Sequence, residues 1–185
     1  MTKTRTMSLA ALFAALTAIG AFLKIQIPVE GIPAITLQFF FTAMAGVLLG
    51  AKYGAISQAV YVLLGLVGLP IFTMGGGFSY VLQPSFGFLV GLIPSAWVIG
   101  TLCKNAKSFW PMALGILAGL AVLYLIGTPY MGLILNLYLG KGMSVWQIVR
   151  AGCLLYLPGD VLKIVVCTAL CLALRSRLPK ALAAA

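Results

Sequence analysis

The stretch 145-VWQIVRAGCLLYLPGDVLKIVVCTALCLAL-174 decides how this chain is interpreted. It is apolar over more than the roughly 17–25 residues that a helix needs to cross the hydrocarbon core of a membrane. Its centre, 156-YLPGDVLK-163, nevertheless holds Asp160, one of the 2 acidic residues of the protein, three positions before Lys163. A charged side chain at mid-span is unfavourable by roughly 2.5–3.5 kcal/mol. The pair therefore requires either a structural or a functional explanation.

Further apolar runs of similar character precede this one, at positions 7–23, 36–51, 53–72, 85–103 and 111–139. The 185 residues are 63% hydrophobic and 8% charged, with a mean hydropathy of +1.15. Soluble domains are roughly 25% charged. The sequence therefore predicts an all-α integral membrane protein in which residues 1–185 form a single domain of six transmembrane helices.

Lysines and arginines flank the runs unevenly. One side carries Lys3, Arg5, Lys52, Lys104, Lys107, Arg175, Arg177 and Lys180. The other side has Lys24 and Lys141 in its loops, with Arg150 near the start of the last run. The positive-inside rule then predicts cytoplasmic N- and C-termini. A cleaved signal peptide is the alternative for the first run, which is long for that role.

Several classes of function are disfavoured by composition. The net charge of +10 comes from cations at the ends of spans, not from a clustered basic face, so nucleic acid is not an expected partner. The 4 cysteines lie in or beside apolar runs and the chain has no histidine, so we expect no metal site. No cofactor is expected, and no catalytic couple is evident. Because the chain has no GxxxxGK[ST] loop, it cannot use ATP through a P-loop.

The buried pair predicts a site for a polar ligand. Asp160 and Lys163 share one helix face, and Tyr156 extends that face by one turn. Pro158 and Gly159 favour a local kink, which membranes tolerate only against protein or water. The alternative is an ion pair that only holds the last helix against its neighbours.

A second polar cluster lies in 68-GLPIFTMGGGFSYVLQPSFGF-88, an uncharged loop expected on the outer side. Ser79, Tyr80 and Gln83 are suited to line a mostly apolar pocket with a few hydrogen-bonding groups. The plainer alternative is that the glycines only allow a tight turn. The other acid, Glu30, lies in the outer loop 24–38, where we expect a solvated charge in preference to a lid over the pocket.

These motifs resemble the BioY family, the biotin-specific substrate-capture components of energy-coupling-factor (ECF) transporters. The resemblance rests on Pro158-Gly159-Asp160 followed by Lys163. It also rests on the order of the motifs along the chain, because four other motifs precede this one. Those motifs are Gly68-Leu69-Pro70-x-Phe72, the glycine cluster, Pro84-Ser85-x-Gly87 and Thr36-Leu37-Gln38. Ala34, Ser85 and Phe88 depart from the family pattern, in which Pro, Thr and Tyr are usual.

The resemblance implies a membrane subunit that captures biotin on the outer side of a prokaryotic cell membrane. Its implied partners are the lipid bilayer, a transmembrane coupling protein and a pair of cytoplasmic ATPases. Asp160 and Lys163 would then serve one end of biotin, either the ureido group or the carboxylate. The other ligand-binding candidates are Tyr156, Ser79, Tyr80, Gln83 and Gln38. The rival interpretation is a self-sufficient, ion-coupled secondary transporter, although the halves of the chain show no inverted repeat.

The first run contains a stripe of small residues. Ala10, Ala14 and Ala18 recur every four residues, so they lie on one face of a helix, and such faces allow close helix approach. Packing within the bundle is the plain interpretation. The family resemblance implies instead that this stripe is the docking face for the coupling protein.

Overall fold

The computed structural model describes residues 3–25 and 32–177. The helices are α1 (Lys3–Phe22), α2 (Gln38–Leu66), α3 (Phe86–Leu102), α4 (Phe109–Leu133), α5 (Val145–Val149) and α6 (Leu157–Arg177). Short π-helical stretches, Ile134–Tyr138 and Arg150–Leu154, continue α4 and α5, and a 3-10 turn covers Phe78–Leu82. The two-residue strands β1 (Lys24–Ile25) and β2 (Ile35–Thr36) pair antiparallel.

Within these described ranges, 4 helical stretches are long and apolar enough to cross a membrane: Thr4–Phe22, Gln38–Leu66, Phe109–Tyr138 and Val145–Ser176. Helix α3 is equally apolar but shorter. This agrees with the predicted helical membrane architecture. Glu30 lies outside the described residues, as does Lys180.

Helix α2 is a hairpin whose two arms, 38–49 and 51–66, lie side by side. The chain reverses at Gly50, whose φ of 78° and ψ of 177° belong to a region that is essentially restricted to glycine. A Cβ atom added to Gly54 would lie 2.9 Å from Cα of Gly46. In a continuous helix these residues would be about 12 Å apart. The reversal falls where the sequence predicts the boundary between the runs 36–51 and 53–72.

Buried polar side chains join the two arms of α2. Thr42 donates a hydrogen bond to Oε1 of Gln58 at 2.9 Å, and Gln38 donates to the hydroxyl of Tyr61 at 2.8 Å. Thr42, Gln58 and Tyr61 are fully buried. In a membrane such bonds supplement packing, because lipid provides no hydrophobic force between helices.

Small residues bring the remaining helices close together. A Cβ on Gly46 would lie 2.7 Å from the carbonyl oxygen of Ala96, so α2 and α3 are in backbone contact. Ser95 of α3 donates a buried hydrogen bond of 2.8 Å to the carbonyl of Gly119 on α4. These contacts order α2, α3 and α4 around one core.

Arg175 ties the end of α6 to the ends of two other helices. Its guanidinium donates to the carbonyls of Val47 at 2.5 Å, Cys103 at 2.9 Å and Ala106 at 3.1 Å. Carbonyl oxygens at helix C-termini carry partial negative charge, which favours a cation there. The α2 turn, the α3–α4 loop and the end of α6 therefore meet at one end of the bundle.

The last predicted run is an interrupted helix. Regular α-helix stops at Val149, and α6 starts again at Leu157 with Pro158 in its first turn, where a missing N–H is tolerated. The irregularity predicted at Pro158 and Gly159 lies before them instead, at residues 150–156, and both residues are helical. It places Asp160 in the first turn of α6, where the helix dipole favours a carboxylate.

The alanine stripe on α1 requires a correction. Ala10 and Ala14 are each 4% exposed and belong to the core of the bundle, while Ala18 is half-buried. A residue that already packs inside its own chain cannot also present a surface to a partner. The face of α1 that is exposed carries Ser8, Ala11 and Ala15 instead.

Candidate functional site

A cavity lies between the start of α2, the loop after α2, and helices α3, α4 and α6. We call it the site cavity. It contains about 650 Å³ of space between protein atoms, a volume that includes solvent at its open side. Its lining residues are Pro33, Ala34, Thr36, Gln38, Phe39, Thr73, Tyr80, Ser85, Phe88, Leu89, Leu92, Leu123, Tyr124, Tyr156, Asp160 and Lys163.

Asp160 and Lys163 form the charged part of this lining. Nζ of Lys163 lies 2.7 Å from Oδ1 of Asp160, and their side chains are 12% and 6% exposed, respectively. The other carboxylate oxygen, Oδ2, accepts a hydrogen bond from the hydroxyl of Tyr124 on α4. The carboxylate is thus held by groups on two helices, and the pair is electrically neutral. Two hydrogens of the ammonium have no partner among the described residues.

Tyr156 connects the site to the segment that precedes α2. It is buried, and its hydroxyl donates to the carbonyl of Pro33 at 2.5 Å. Pro33 and Ala34 both line the cavity. Tyr156 therefore fixes the position of this segment against the start of α6.

Hydroxyl groups gather where the loop after α2 meets the cavity. The hydroxyl of Tyr80 lies 2.8 Å from Oγ1 of Thr73 and accepts a hydrogen bond of 3.1 Å from Ser85. The chain turns back toward Tyr80 through Gly75 and Gly77, whose φ values of 112° and 102° favour glycine. The glycine cluster therefore positions a cavity wall through the tight turn that it allows.

Gln38 is oriented by hydrogen bonds on both ends of its amide. Its Oε1 accepts from Thr36 at 3.0 Å and its Nε2 donates to Tyr61 at 2.8 Å. Tyr61 in turn donates to the carbonyl of Ile71 at 3.1 Å. A polar group in the cavity wall is thereby fixed by residues that lie behind it.

The structure brings together most, but not all, of the residues predicted to bind ligand. Asp160, Lys163, Tyr156, Tyr80 and Gln38 all line the site cavity. Ser79 and Gln83 do not, and they line a second cavity whose wall also contains Tyr80, Pro84 and Tyr138. Ser79 is the neighbour of Tyr80 on the 3-10 turn, where adjacent side chains project in different directions. Gln83 follows the turn, in extended backbone.

Tyr124 and Thr73 line the site cavity and were not predicted from the sequence. Tyr124 gave a signal, because a tyrosine inside an apolar span usually needs a hydrogen-bond partner for its hydroxyl. The departures from the family pattern at Ala34, Ser85 and Phe88 all lie in the cavity wall. Across the described ranges, no group of three or more cysteine or acidic side chains is arranged to hold a metal ion.

Comparison with known proteins identifies the family of the chain. A family model described as the BioY family matches residues 1–180. Similar proteins include a probable biotin transporter BioY of Lysinibacillus sphaericus, 44% identical over 77% of this chain and 72% of that protein. The biotin transporter BioY of Thermotoga maritima is 37% identical over 90% of this chain and 93% of its own length.

A solved structure supports the same assignment at the level of the fold. A crystal structure described as the S-component for biotin from an ECF-type ABC transporter superposes with a TM-score of 0.81. The two sequences are 28% identical, and the matched region covers 95% of this chain and 95% of that one. The resemblance inferred from the motifs is confirmed, and the chain belongs to the BioY family.

Proposed function

We propose that this chain is the biotin-binding membrane component of an ECF-type uptake transporter. The observation that carries the proposal is the Asp160–Lys163 pair, joined by Tyr124, in the wall of a cavity that is otherwise mostly apolar. Biotin has an apolar bicyclic and alkyl body, a ureido group and a carboxylate. Two of its relatives are named as a biotin transporter or a probable biotin transporter, which supports biotin as the ligand. A capture component is not an enzyme, and neither cofactor nor metal takes part.

The neutral pair is suited to the ureido end of the ligand. Asp160 can accept hydrogen bonds from ureido N–H groups, and Lys163 can donate its remaining hydrogens to the ureido carbonyl. A ligand carboxylate at the same place would add an uncompensated negative charge to a poorly solvated site, which is unfavourable. The rings and alkyl chain would lie against side chains such as Phe88, Leu92 and Leu123.

Six membrane crossings follow if each arm of the α2 hairpin crosses once. The turn at Gly50, the α3–α4 loop and the end of α6 lie at one end of the bundle, and they carry Lys52, Lys104 and Lys107. The positive-inside rule assigns that end to the cytoplasm, together with both termini. The site cavity then opens to the outside of a prokaryotic cell membrane.

ATP-driven uptake needs partners that bind ATP, because this chain has no P-loop of its own. We infer a transmembrane coupling protein and a pair of cytoplasmic ATPases, in line with the description of the structural relative as part of an ABC transporter. The exposed face of α1 around Ala11 and Ala15 is our candidate for docking, since small residues allow a partner helix to approach closely. No residue of α1 lines the site cavity, so docking there leaves the ligand contacts free.

The test is equilibrium binding by the purified chain alone. In detergent, with neither ATP nor an ion gradient, isothermal titration calorimetry should give one biotin per chain. Binding that appears only in vesicles with an ion gradient would favour the self-sufficient secondary transporter. Absence of binding under both conditions would overturn biotin as the ligand.

A further inference from the structure

Lys24 lies at the edge of the site cavity. It is on β1 and pairs directly with Thr36 of β2, which lines the cavity. Directly opposite residues of an antiparallel pair project to the same face. The side chain of Lys24 therefore starts from the face that Thr36 occupies.

The far end of the Lys24 side chain is also held by the cavity wall. Its ammonium donates a hydrogen bond to the carbonyl oxygen of Thr73, another lining residue. The side chain thus runs along the rim of the cavity from Thr36 to Thr73, and it is exposed. An ammonium has three hydrogens, so two remain for another acceptor.

The charges of the cavity are arranged unevenly. Inside, Asp160 neutralises Lys163 by direct contact at 2.7 Å. At the rim, Lys24 has no carboxylate partner in the part of the chain that the structure describes, where Asp160 is the one acidic residue. Among the described residues, the cavity therefore combines a neutral polar interior with a positively charged edge.

We propose that Lys24 binds the carboxylate of the ligand at the mouth of the cavity and so selects anionic ligands over neutral ones. The proposal rests on the proposed function, since it assumes that the site cavity holds the ligand. It adds the residue that recognises the carboxylate tail of an elongated ligand with a neutral hydrogen-bonding head and an apolar body. The head contacts Asp160 and Lys163, and the tail ends beside Lys24.

The experiment compares biotin with biotinamide, in which a neutral carboxamide replaces the carboxylate. Calorimetry on the parent protein should show about fivefold tighter binding of biotin, the factor that corresponds to about 1 kcal/mol for an exposed ion pair. Lys24→Met should remove that difference by weakening biotin binding while leaving biotinamide binding unchanged. Lys24→Arg should retain the preference. In the parent protein the preference should shrink at high salt, because exposed charges are screened.

Lys141→Met is the matched control. Lys141 is exposed beside Leu139, which lines the second cavity, and it is not part of the site cavity wall. Its removal takes the same charge from the same end of the bundle. If Lys141→Met lost as much of the preference for biotin over biotinamide as Lys24→Met, the preference would come from the overall positive potential of this end. That result would overturn a local contact between Lys24 and the carboxylate. The role of Lys24 would also be overturned if Lys24→Met weakened the binding of both ligands equally or had no effect on either. In those cases the proposed function would still stand, provided that the parent protein binds biotin. A parent that binds neither ligand would overturn both.

Discussion

Tyr124 of α4 donates a hydrogen bond to Oδ2 of Asp160 on α6, although 36 positions separate the two residues in the chain. Lys163 occupies the other oxygen of the same carboxylate. Because both oxygens are held, the orientation of Asp160 is set before any ligand arrives. This preorganisation reduces the ordering that binding would otherwise require.

Tyr124→Phe should lower biotin affinity by about tenfold while leaving the fold intact. The phenyl ring still fills its place beside Phe88. The Asp160 carboxylate, however, loses one hydrogen bond, and a hydrogen bond to a charged group typically contributes about 1.5–3 kcal/mol to stability. Calorimetry measures the effect. Tyr138→Phe, at an exposed tyrosine outside the site cavity, is the control and should bind like the parent. Unchanged affinity in Tyr124→Phe would refute the orienting role.

Asp160→Asn and Lys163→Met should each weaken biotin binding by roughly 30-fold or more, the range for truncating one member of a buried charge pair. Each also leaves one ion unpaired, so some loss of stability is expected. The double variant separates the two effects. It restores neutrality and should recover thermal stability, but it should not recover binding. If the single variants remain folded and bind biotin as tightly as the parent, the pair is only structural.

Ala15→Trp should abolish uptake without affecting biotin binding by the isolated chain. Ala15 is exposed, so the indole extends from α1 and blocks the approach of a partner helix. Ala14→Trp is the contrast: Ala14 is 4% exposed, and overpacking a core typically costs about 1–3 kcal/mol or more. The measurements are calorimetry, co-purification with the coupling protein and uptake in reconstituted vesicles. Normal assembly and uptake in Ala15→Trp would exclude this face as the docking surface.

Arg175→Met should destabilise the protein by about 2–4 kcal/mol while leaving intrinsic biotin affinity within about twofold. The variant leaves the carbonyls of Val47, Cys103 and Ala106 without their charged donor. Arg175 lies 15 positions after Asp160, which corresponds to about 22 Å along α6, so the site cavity is not directly affected. Arg175→Lys should rescue only part of the stability, because one ammonium cannot reproduce the guanidinium fork. A large affinity loss with normal stability would contradict this assignment.

Gly50→Ala should cost about 1–3 kcal/mol of stability, because a Cβ is strained at φ 78° and ψ 177°. Gly159→Ala is the matched control, since a Cβ there meets nothing within 4 Å and the residue is helical. It should be neutral or stabilising by up to about 1 kcal/mol. Thermal unfolding in detergent compares the two. Equal stability of both variants would show that the turn does not depend on the backbone freedom of glycine.

Local sequence patterns predicted the features that depend on helix geometry within one element. The spacing of Asp160 and Lys163 was sufficient to predict their contact, because residues three apart on a helix are neighbours. The Pro158-Gly159 pair predicted a kink, because proline lacks the N–H that a helix interior needs. The structure has an interruption in this run, but it precedes the pair, at residues 150–156. The change of direction near Gly50 followed from the lengths of the apolar runs.

The rotation of each helix about its axis was not available from the sequence. An almost uniformly apolar helix has no polar face to indicate which side is buried. The sequence therefore left two interpretations of the stripe on α1, packing in the bundle or docking, and the structure buries Ala10 and Ala14 while Ala15 is exposed. The same limit explains why Ser79 and Gln83 were expected in a cavity that only Tyr80 of that turn reaches.

By itself, the sequence determined the membrane environment, the family and the charged pair of the site, because hydropathy, motif order and i,i+3 spacing are all local properties of the chain. The tertiary structure alone decided which distant side chains meet around that pair, namely Tyr124 against Asp160 and, at the rim of the cavity, Lys24 against Thr73. The physical reason is that close packing of small residues such as Gly46 and Gly119 sets how the helices meet, and this depends on every neighbour at once.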